Sequence, residues 1–159
     1  MIENNTIGYC KPGFQKKRFQ KLKKGELEIA FEIDLHGKNL IEAEDFLDNY
    51  IPKLQITKNM DVLDIGCGWG GMAIEIAKQT GANVKGITLS ENQYQTASKR
   101  AHQEGLSEKV SFQIQDYRNE TKKYDRVVSI GMFEHVGIKY YKSYLKKTYD
   151  ILKDNGVFL

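Results

Sequence analysis

The segment VLDIGCGWGG, residues 62–71, places Asp64 two positions before a turn that holds four glycines in six residues. Glycine has no Cβ and tolerates positive φ, so such a turn lets the backbone approach a ligand closely. The N–H groups of a helix that starts after the turn favour an anion. A plain strand-to-helix turn needs only one or two glycines. The segment therefore predicts a cofactor site at the carboxyl end of a β-sheet.

Two kinds of cofactor are compatible with this turn. Gly66, Gly68 and Gly71 match the dinucleotide pattern GxGxxG, which favours a nicotinamide or flavin cofactor. However, Asp64 would repel a pyrophosphate, whereas it can accept hydrogen bonds from the ammonium group of an amino acid. The next strand region, residues 83–90 (NVKGITLS), also lacks the acid that usually holds an adenosine ribose. A cofactor with an amino-acid tail and no phosphate fits better, and S-adenosylmethionine is the common one.

The elements around the turn alternate between short β-rich runs and longer helical ones. Strands are predicted at 61–65, 83–87, 110–115, 125–130 and 157–159. Helices are predicted at 71–80, 90–104 and 139–152, with a further one at 39–54 that Pro52 ends or kinks. Such alternation indicates βαβ units with right-handed crossovers. The fold class is therefore α/β, with a mainly parallel sheet.

The composition is typical of one globular domain, with 159 residues of which 40% are hydrophobic and 28% charged. No apolar run approaches the roughly 20 residues of a membrane span. A cytoplasmic protein is the simplest interpretation. The two cysteines, Cys10 and Cys67, lie far apart and predict neither a disulfide framework nor a metal pair. We therefore expect no metal site.

Basic residues are concentrated near the start of the chain. Seven lie between Lys11 and Lys24 with no acid among them, and the remainder of the chain is mildly acidic. We interpret residues 1–25 as a basic arm and residues 26–159 as the folded domain. An anionic partner would bind the arm, and the charge of the domain argues against a general nucleic-acid surface.

Five segments resemble, in order and spacing, the cyclopropane-fatty-acyl-phospholipid synthase family of S-adenosylmethionine-dependent methyltransferases. These segments are VLDIGCGWGG, GITLSENQ, QDYR, DRVVSIGMFEHVG and LKDNGVFL, within residues 39–159. The resemblance implies a Rossmann-like class I methyltransferase core with helices on both faces of the sheet. It also implies methylene transfer to unsaturated acyl chains of phospholipids, and so a role in lipid biosynthesis with a position at the inner membrane face.

The resemblance assigns cofactor contacts to three groups of residues. The methionine half would contact Asp64, Gly66, Cys67, Gly68, Trp69 and Gly70. The ribose would contact Thr88, Leu89, Ser90 and Gln93, where the Gln93 amide replaces the usual carboxylate. The adenine would contact Gln115, Asp116 and Tyr117. On the residues alone, Ser90 also fits a helix cap and Asp116 a turn.

The segment GMFEHVG, residues 131–137, follows the fourth strand and so reaches the same edge of the sheet. In the family that the chain resembles, the glutamate that matches Glu134 helps to hold a bicarbonate ion, the general base. Methyl transfer to an alkene leaves a carbocation, and a base must remove a proton before the ring closes. Both steps need a pocket that excludes water. His135 is expected to be structural.

The chain departs from the family pattern in two places. A family cysteine that contacts the bicarbonate would fall near residues 29–31, which read IAF. The family's H-T-I segment, a later tyrosine and the last two strands would follow Leu159, so we expect the chain to be part of a longer protein. Two alternatives to cyclopropanation therefore stay open, a small-molecule N- or C-methyltransferase and a non-catalytic cofactor-binding remnant.

The basic arm has an apolar side if it is helical. Phe14, Phe19 and Leu22 would then lie together, with lysines around them. Such a stretch can bind an anionic membrane surface. The alternative is a solvated tail.

Overall fold

The β-sheet of the protein is mainly parallel. The computed structural model describes residues 22–23 and 51–159. Within these residues the strands are β1 (Leu22–Lys23), β2 (Asp61–Ile65), β3 (Asn83–Thr88), β4 (Val110–Ile114), β5 (Tyr124–Val128) and β6 (Leu152–Phe158). Their spatial order is β1-β6-β5-β2-β3-β4, in which only β1 runs antiparallel to its neighbour. The predicted α/β fold with a mainly parallel sheet is confirmed.

Helices cover both faces of this sheet. They are α1 (Gly71–Thr80), α2 (Glu91–Gln103) and α3 (Tyr141–Asp150). Successive strand residues point to opposite faces. On one face, Val62 packs in a cluster with Ala73 of α1 and Ala101 of α2. On the other face, Leu63 packs in a cluster with Tyr144 of α3. Helices on both faces, as predicted, are thus confirmed.

The ends of α1 and α2 lie close to the predicted residues, because local signals define them. Gly81 follows α1 with φ of 71°, a left-handed conformation that ends the helix. The Ser90 side chain accepts a hydrogen bond from the Gln93 N–H at 3.4 Å and caps the start of α2. Gly105 follows α2 with φ of 70°.

The last helix and strand differ from the prediction. The helix predicted at 139–152 covers Tyr141–Asp150, and the strand predicted at 157–159 begins at Leu152. Tyr124 is opposite Leu152 but Arg126 is opposite Val157, so the segment KDNG, residues 153–156, forms a bulge within β6 although its composition is that of a turn. Bulges interrupt the periodic pattern that sequence reading relies on.

The segment before β2 is held by a buried arginine. A 3₁₀ helix spans Pro52–Leu54 and ends at Gln55 with φ of 49°. The Arg126 guanidinium donates hydrogen bonds to the carbonyl oxygens of Leu54 and Gln55. Pro52 is the first residue of this 3₁₀ helix, and whether it ends or kinks a longer helix stays a prediction. Residues 39–50 of the predicted helix, and the predicted arm apart from Leu22–Lys23, lie outside the described residues.

Candidate cofactor and active site

The glycine turn after β2 is fixed to the neighbouring strand by its backbone. The N–H groups of Gly66 and Cys67 both donate to the carbonyl oxygen of Ile87 in β3, at 2.9 and 3.0 Å. The Gly70 N–H donates to the Cys67 carbonyl oxygen at 2.9 Å. Gly66, Gly68 and Gly70 all have positive φ, between 53° and 82°. This backbone path explains why the turn is rich in glycine.

Glycine serves two different purposes within the turn. A Cβ on Gly66 would lie 2.8 Å from the Met132 side chain, and one on Gly70 would lie 2.7 Å from Phe112. These two glycines are required by protein packing. A Cβ on Gly68 or Gly71 would meet nothing within 4 Å. The turn is therefore open for a ligand at Gly68 and Gly71, where α1 begins.

Asp64 lies beneath this turn with an unsatisfied oxygen. The residue is 2% exposed, and its Oδ2 has no hydrogen-bond partner. Burial raises the pKa of the carboxyl group to about 7. A buried polar atom without a partner is costly, and a positively charged donor would satisfy it. The site thus fits the ammonium group of an amino-acid tail, as carried by S-adenosylmethionine.

Cys67 and Trp69 face different environments. The Cys67 thiol is buried, and burial raises its pKa above the ordinary range, which makes it a poor nucleophile. The Trp69 side chain is 53% exposed. The Trp69 carbonyl oxygen accepts a hydrogen bond from Arg100 Nη1 of α2 at 2.7 Å. Sequence reading missed Arg100, because a contact over 31 positions leaves no local signal.

The residues assigned to the ribose form one small network after β3. The Thr88 hydroxyl donates to Gln93 Oε1 at 2.7 Å and accepts from the Ser90 N–H at 3.2 Å. The hydrogen bond from Thr88 therefore fixes the orientation of the Gln93 amide, and its Nε2 is left as the group that can donate to a ribose oxygen. Ser90 is a helix cap, one of the two interpretations that the sequence allowed. The Leu89 side chain is 73% exposed at the same edge.

Gln115 and Asp116 already have partners within the protein. Gln115 Oε1 accepts from Lys85 Nζ at 3.0 Å, and its Nε2 donates to Glu120 Oε2 at 3.0 Å. The Asp116 carboxylate accepts hydrogen bonds from the backbone and side chain of Arg118, which lower its pKa. Asp116 thus also caps the turn at Tyr117–Asn119. Contact of the Gln115 and Asp116 side chains with adenine would require them to share or exchange these partners.

The predicted catalytic segment packs directly against the glycine turn, through Met132. Glu134 lies in a 3₁₀ turn, Phe133–His135, and its Oε1 is buried without a hydrogen-bond partner. The Phe133 ring stacks on Tyr141 with centroids 4.3 Å apart. His135 is exposed, and its N–H donates to the Met132 carbonyl oxygen. The segment therefore carries one buried, unsatisfied carboxylate oxygen beside aromatic rings.

A buried tyrosine lies near both Asp64 and Glu134. Tyr144 of α3 is fully buried, and its ring contacts Tyr117 edge-on with centroids 4.9 Å apart. Burial raises the pKa of its hydroxyl above the ordinary range, and the nearby charges of Asp64 and Glu134 raise it further. Both carboxylates therefore lie near the same buried hydroxyl group, that of Tyr144. Within the described residues, no group of three His, Cys, Asp or Glu side chains is placed to hold a metal ion.

The comparisons with known proteins agree on one family. The family model for mycolic acid cyclopropane synthetase matches residues 37–159. The cyclopropane-fatty-acyl-phospholipid synthase of Escherichia coli (strain K12) is 47% identical over 107 residues, which cover 67% of this chain and 27% of that protein. The sphingolipid C9-methyltransferase of Komagataella phaffii is 37% identical over 129 residues, covering 72% of this chain and 26% of that protein. The chain thus spans about a quarter of the length of these relatives.

A solved structure gives the same result for the fold. The crystal structure of mycolic acid cyclopropane synthase CmaA1, complexed with SAH and CTAB, has a TM-score of 0.70 to this protein. The two are 28% identical, and the alignment covers 74% of this chain and 41% of that one. The fold is that of class I S-adenosylmethionine-dependent methyltransferases, as the resemblance implied. With a family model that matches residues 37–159, the chain belongs to the mycolic acid cyclopropane synthetase family.

Proposed function

We propose that the chain binds S-adenosylmethionine along the carboxyl edge of the sheet, with the methionine half of the cofactor at the glycine turn. The unpartnered Oδ2 of Asp64 is the observation that carries this proposal, because the ammonium group of the cofactor is the donor it lacks. The cofactor's carboxylate would face the N–H groups at the start of α1, where Gly68 and Gly71 leave space. The complex of CmaA1 with SAH supports this choice of cofactor.

The other cofactor contacts follow the order of the strands. We assign the ribose to the loop after β3, where Gln93 Nε2 donates while Thr88 holds its oxygen. Leu89 and Ser90 would border the same sugar. We assign the adenine to the loop after β4, beside Asp116 and the Tyr117 ring. Gln115 would contribute through its backbone, because its amide group is bound to Lys85 and Glu120.

For the natural protein we propose methylene transfer to an unsaturated acyl chain of a phospholipid. S-adenosylmethionine supplies an electrophilic methyl group on a sulfonium. Attack by the alkene on this methyl leaves a carbocation on the acyl chain. A base then takes one proton from the new methyl, and the freed electron pair closes the ring. The aromatic rings of Phe133, Tyr141 and Tyr144 line a region suited to excluding water from these steps.

Glu134 is the residue that we place at the reacting end. Its buried Oε1 lacks a donor, and the O–H of a bicarbonate ion can supply one. Such an ion would then accept the proton that the acyl chain loses. Bicarbonate as the base is part of this proposal, and it rests on the family resemblance and on that single oxygen.

Methylation of a sphingolipid chain without ring closure is the second candidate. The sphingolipid C9-methyltransferase of Komagataella phaffii, 37% identical to this chain, supports it. A small-molecule N- or C-methyltransferase and a non-catalytic remnant are the further alternatives. All of these candidates bind the same cofactor. The three enzymes differ in the acceptor of the methyl group, and the remnant has no acceptor.

Cofactor binding is the experiment that tests the proposal first. Calorimetry of the purified chain with S-adenosylhomocysteine should show one site, and a titration with NAD should show none. Binding of NAD alone would overturn the assignment of the glycine turn. Incubation of the natural protein with S-adenosylmethionine and either unsaturated phospholipid or unsaturated sphingolipid, followed by mass spectrometry, then separates a cyclopropane product from a methyl-branched one.

We also propose that the protein works in the cytoplasm, at the inner membrane face. The basic stretch at residues 11–24 would contact anionic lipids. Within the described part of the chain, no helix is both long enough and apolar enough to cross a membrane.

A further inference from the structure

Exposed apolar side chains are concentrated at one edge of the sheet. Among the described residues, the large hydrophobic side chains with high exposure are Trp69, Leu89, Ile114, Ile138, Tyr140 and Tyr149. Trp69, Leu89 and Ile114 lie at or just after the carboxyl ends of β2, β3 and β4, and Ile138 and Tyr140 lie in the segment between β5 and the start of α3. The proposed cofactor site accounts for the first three, because they flank its loops. It does not account for Ile138 and Tyr140.

Ile138 and Tyr140 form a small amphipathic tip. They lie in a 3₁₀ turn, Ile138–Tyr140, directly after the segment that carries Glu134. Ile138 is 84% exposed, the highest value among the large hydrophobic side chains of the described residues, and Tyr140 is 51% exposed. Lys139 Nζ lies 4.8 Å from the centre of the Tyr140 ring. An aliphatic side chain beside an aromatic ring and a lysine is typical of a membrane-interface contact.

The charge around this tip is positive. Residues 138–147 (IKYYKSYLKK) contain four lysines and no acid. Lys146 is paired with Asp150 at 2.7 Å. Lys139 and Lys142 are exposed beside the tip. The segment that carries the two apolar side chains is thus complementary to an anionic surface.

We infer that the turn Ile138–Tyr140, together with Lys142, docks on an anionic phospholipid bilayer. Ile138 and Tyr140 enter the interface while the two lysines contact lipid head groups. This inference rests on the proposed lipid substrate, and it extends that proposal to how the substrate is reached. Since Glu134 lies four positions before Ile138, docking at this turn brings the reacting end of the site to the bilayer surface. This contact is separate from the one proposed for the basic arm.

The depth of the tip in the bilayer can be measured without interference from the arm. Trp69 is the single tryptophan, so Trp69→Phe provides a background without tryptophan fluorescence. In that background, Ile138→Trp reports the tip, and Tyr149→Trp reports an exposed position near the other end of α3. Both are mixed with vesicles of phosphatidylglycerol and acyl-brominated phosphatidylcholine. Quenching of the tryptophan at 138 with little quenching at 149 is expected. Equal quenching at both positions, or none at 138, would overturn the inference.

Co-sedimentation provides a second measurement in the otherwise natural chain. Ile138→Ser should weaken binding to phosphatidylglycerol vesicles about tenfold, because an apolar side chain no longer enters the interface. Tyr149→Ser is the matched control and should bind as the natural chain does. Lys139→Gln with Lys142→Gln should weaken binding about fivefold for each charge, and Lys99→Gln should not. Unchanged binding in Ile138→Ser, with circular dichroism showing a folded protein, contradicts the inference.

Two further readouts distinguish membrane docking from self-association of the chain and from damage to the cofactor site. If the tip binds a second copy of the chain, Ile138→Ser changes the sedimentation coefficient in the absence of lipid, and that result overturns the membrane assignment. S-adenosylhomocysteine affinity is measured on the same variants. Loss of vesicle binding with intact cofactor affinity supports the inference. If the natural chain does not bind the cofactor, the proposed function is refuted, and the quenching result then reports membrane docking alone.

Discussion

Arg100 donates a hydrogen bond to the carbonyl oxygen of Trp69 at 2.7 Å, and so connects α2 to the middle of the glycine turn. The turn is otherwise held to β3 by Gly66 and Cys67, which precede Trp69, and closed on itself by Gly70, which follows it. Between these points Gly68 is left with open space on the side where the cofactor is proposed to bind. Arg100 therefore restrains the middle of the turn from the side of α2.

We predict that Arg100→Gln weakens binding of S-adenosylhomocysteine. Loss of one partly exposed, charge-assisted hydrogen bond corresponds to about 1 kcal/mol, or roughly fivefold in affinity. Calorimetry measures this effect. Lys99→Gln removes a neighbouring exposed charge of the same helix and is the control, which should bind normally. If both variants lose affinity equally, the effect is one of overall charge rather than of the Trp69 contact.

Two glycine substitutions should separate packing from ligand contact. Gly70→Ala places a methyl group 2.7 Å from Phe112 and 2.8 Å from Ala97, so we expect a loss of about 2–4 kcal/mol in the free energy of unfolding. Gly68→Ala meets no neighbour, and only its positive φ should cost about 1–2 kcal/mol. Its methyl group enters the open space, so cofactor affinity should fall strongly. Urea unfolding and calorimetry measure the two effects, and normal affinity in a folded Gly68→Ala would place the ligand elsewhere.

The sequence predicted the elements well where a local signal marks their ends. The glycines at 81 and 105 and the serine at 90 are such signals, and α1 and α2 lie close to the predicted positions. The bulge in β6 was missed, because its residues KDNG read as an ordinary turn. Its strand register depends on pairing with β5, which no local pattern reveals.

The chemistry of the site was predicted less completely than its location. Asp64 and Glu134 were identified from motifs, and both have a buried oxygen without a partner. The sequence did not predict that Lys85 and Glu120 bind the Gln115 amide, since these contacts span 30 and 5 positions. Nor did it reveal Tyr144, which reads as one apolar residue of an amphipathic helix although it lies near both carboxylates.

Asp64 should make binding and stability depend on pH in a defined direction. Its pKa is raised from 3.8 to about 7, so the folded state keeps a proton that the unfolded state releases. The contribution of Asp64 to the free energy of unfolding therefore falls as pH rises from about 4 to about 7, by at most about 4 kcal/mol. Above about pH 7 this contribution stays constant. Asp64→Asn should remove this part of the pH dependence of urea unfolding. A variant with the natural pH profile would mean that the carboxyl group titrates normally.

The same carboxyl group should release its proton when the cofactor binds. An ammonium group beside Oδ2 favours the ionised form, so S-adenosylhomocysteine should bind more tightly as pH rises towards 7. Calorimetry near pH 6.5 in buffers of different ionisation enthalpy measures the proton released, with 6.5 chosen as roughly the middle of the titration. Asp64→Asn should show no release and an affinity lower by about 1–3 kcal/mol. Proton release that persists in Asp64→Asn would come from another group.

Substitution of Glu134 should lower the rate of the reaction and leave cofactor affinity unchanged. In the natural protein that carries this sequence, Glu134→Gln is expected to keep its affinity for S-adenosylhomocysteine and to lower turnover of an unsaturated phospholipid strongly, because the proton acceptor is perturbed and the methyl donor is not. Calorimetry and product analysis by mass spectrometry give the two values. His135→Gln, at the exposed neighbouring position, is the control and should retain turnover. Parallel loss of affinity and turnover in Glu134→Gln would indicate a structural residue.

The basic arm provides the last prediction, and the strand β1 decides how to truncate it. Leu22–Lys23 pairs with Val157 and Phe158 of β6, so removal of residues 1–20 leaves this pairing in place. The truncation removes four of the seven clustered basic residues, namely Lys11, Lys16, Lys17 and Arg18. Each basic residue near an anionic surface contributes about 1 kcal/mol, so the affinity for phosphatidylglycerol vesicles at low salt, measured by co-sedimentation, should fall by at most about three orders of magnitude. The loss should shrink at moderate salt, because the interaction is screened. Neutral phosphatidylcholine vesicles should bind both forms alike, and equal binding of both forms to anionic vesicles would mean that the arm is a solvated tail.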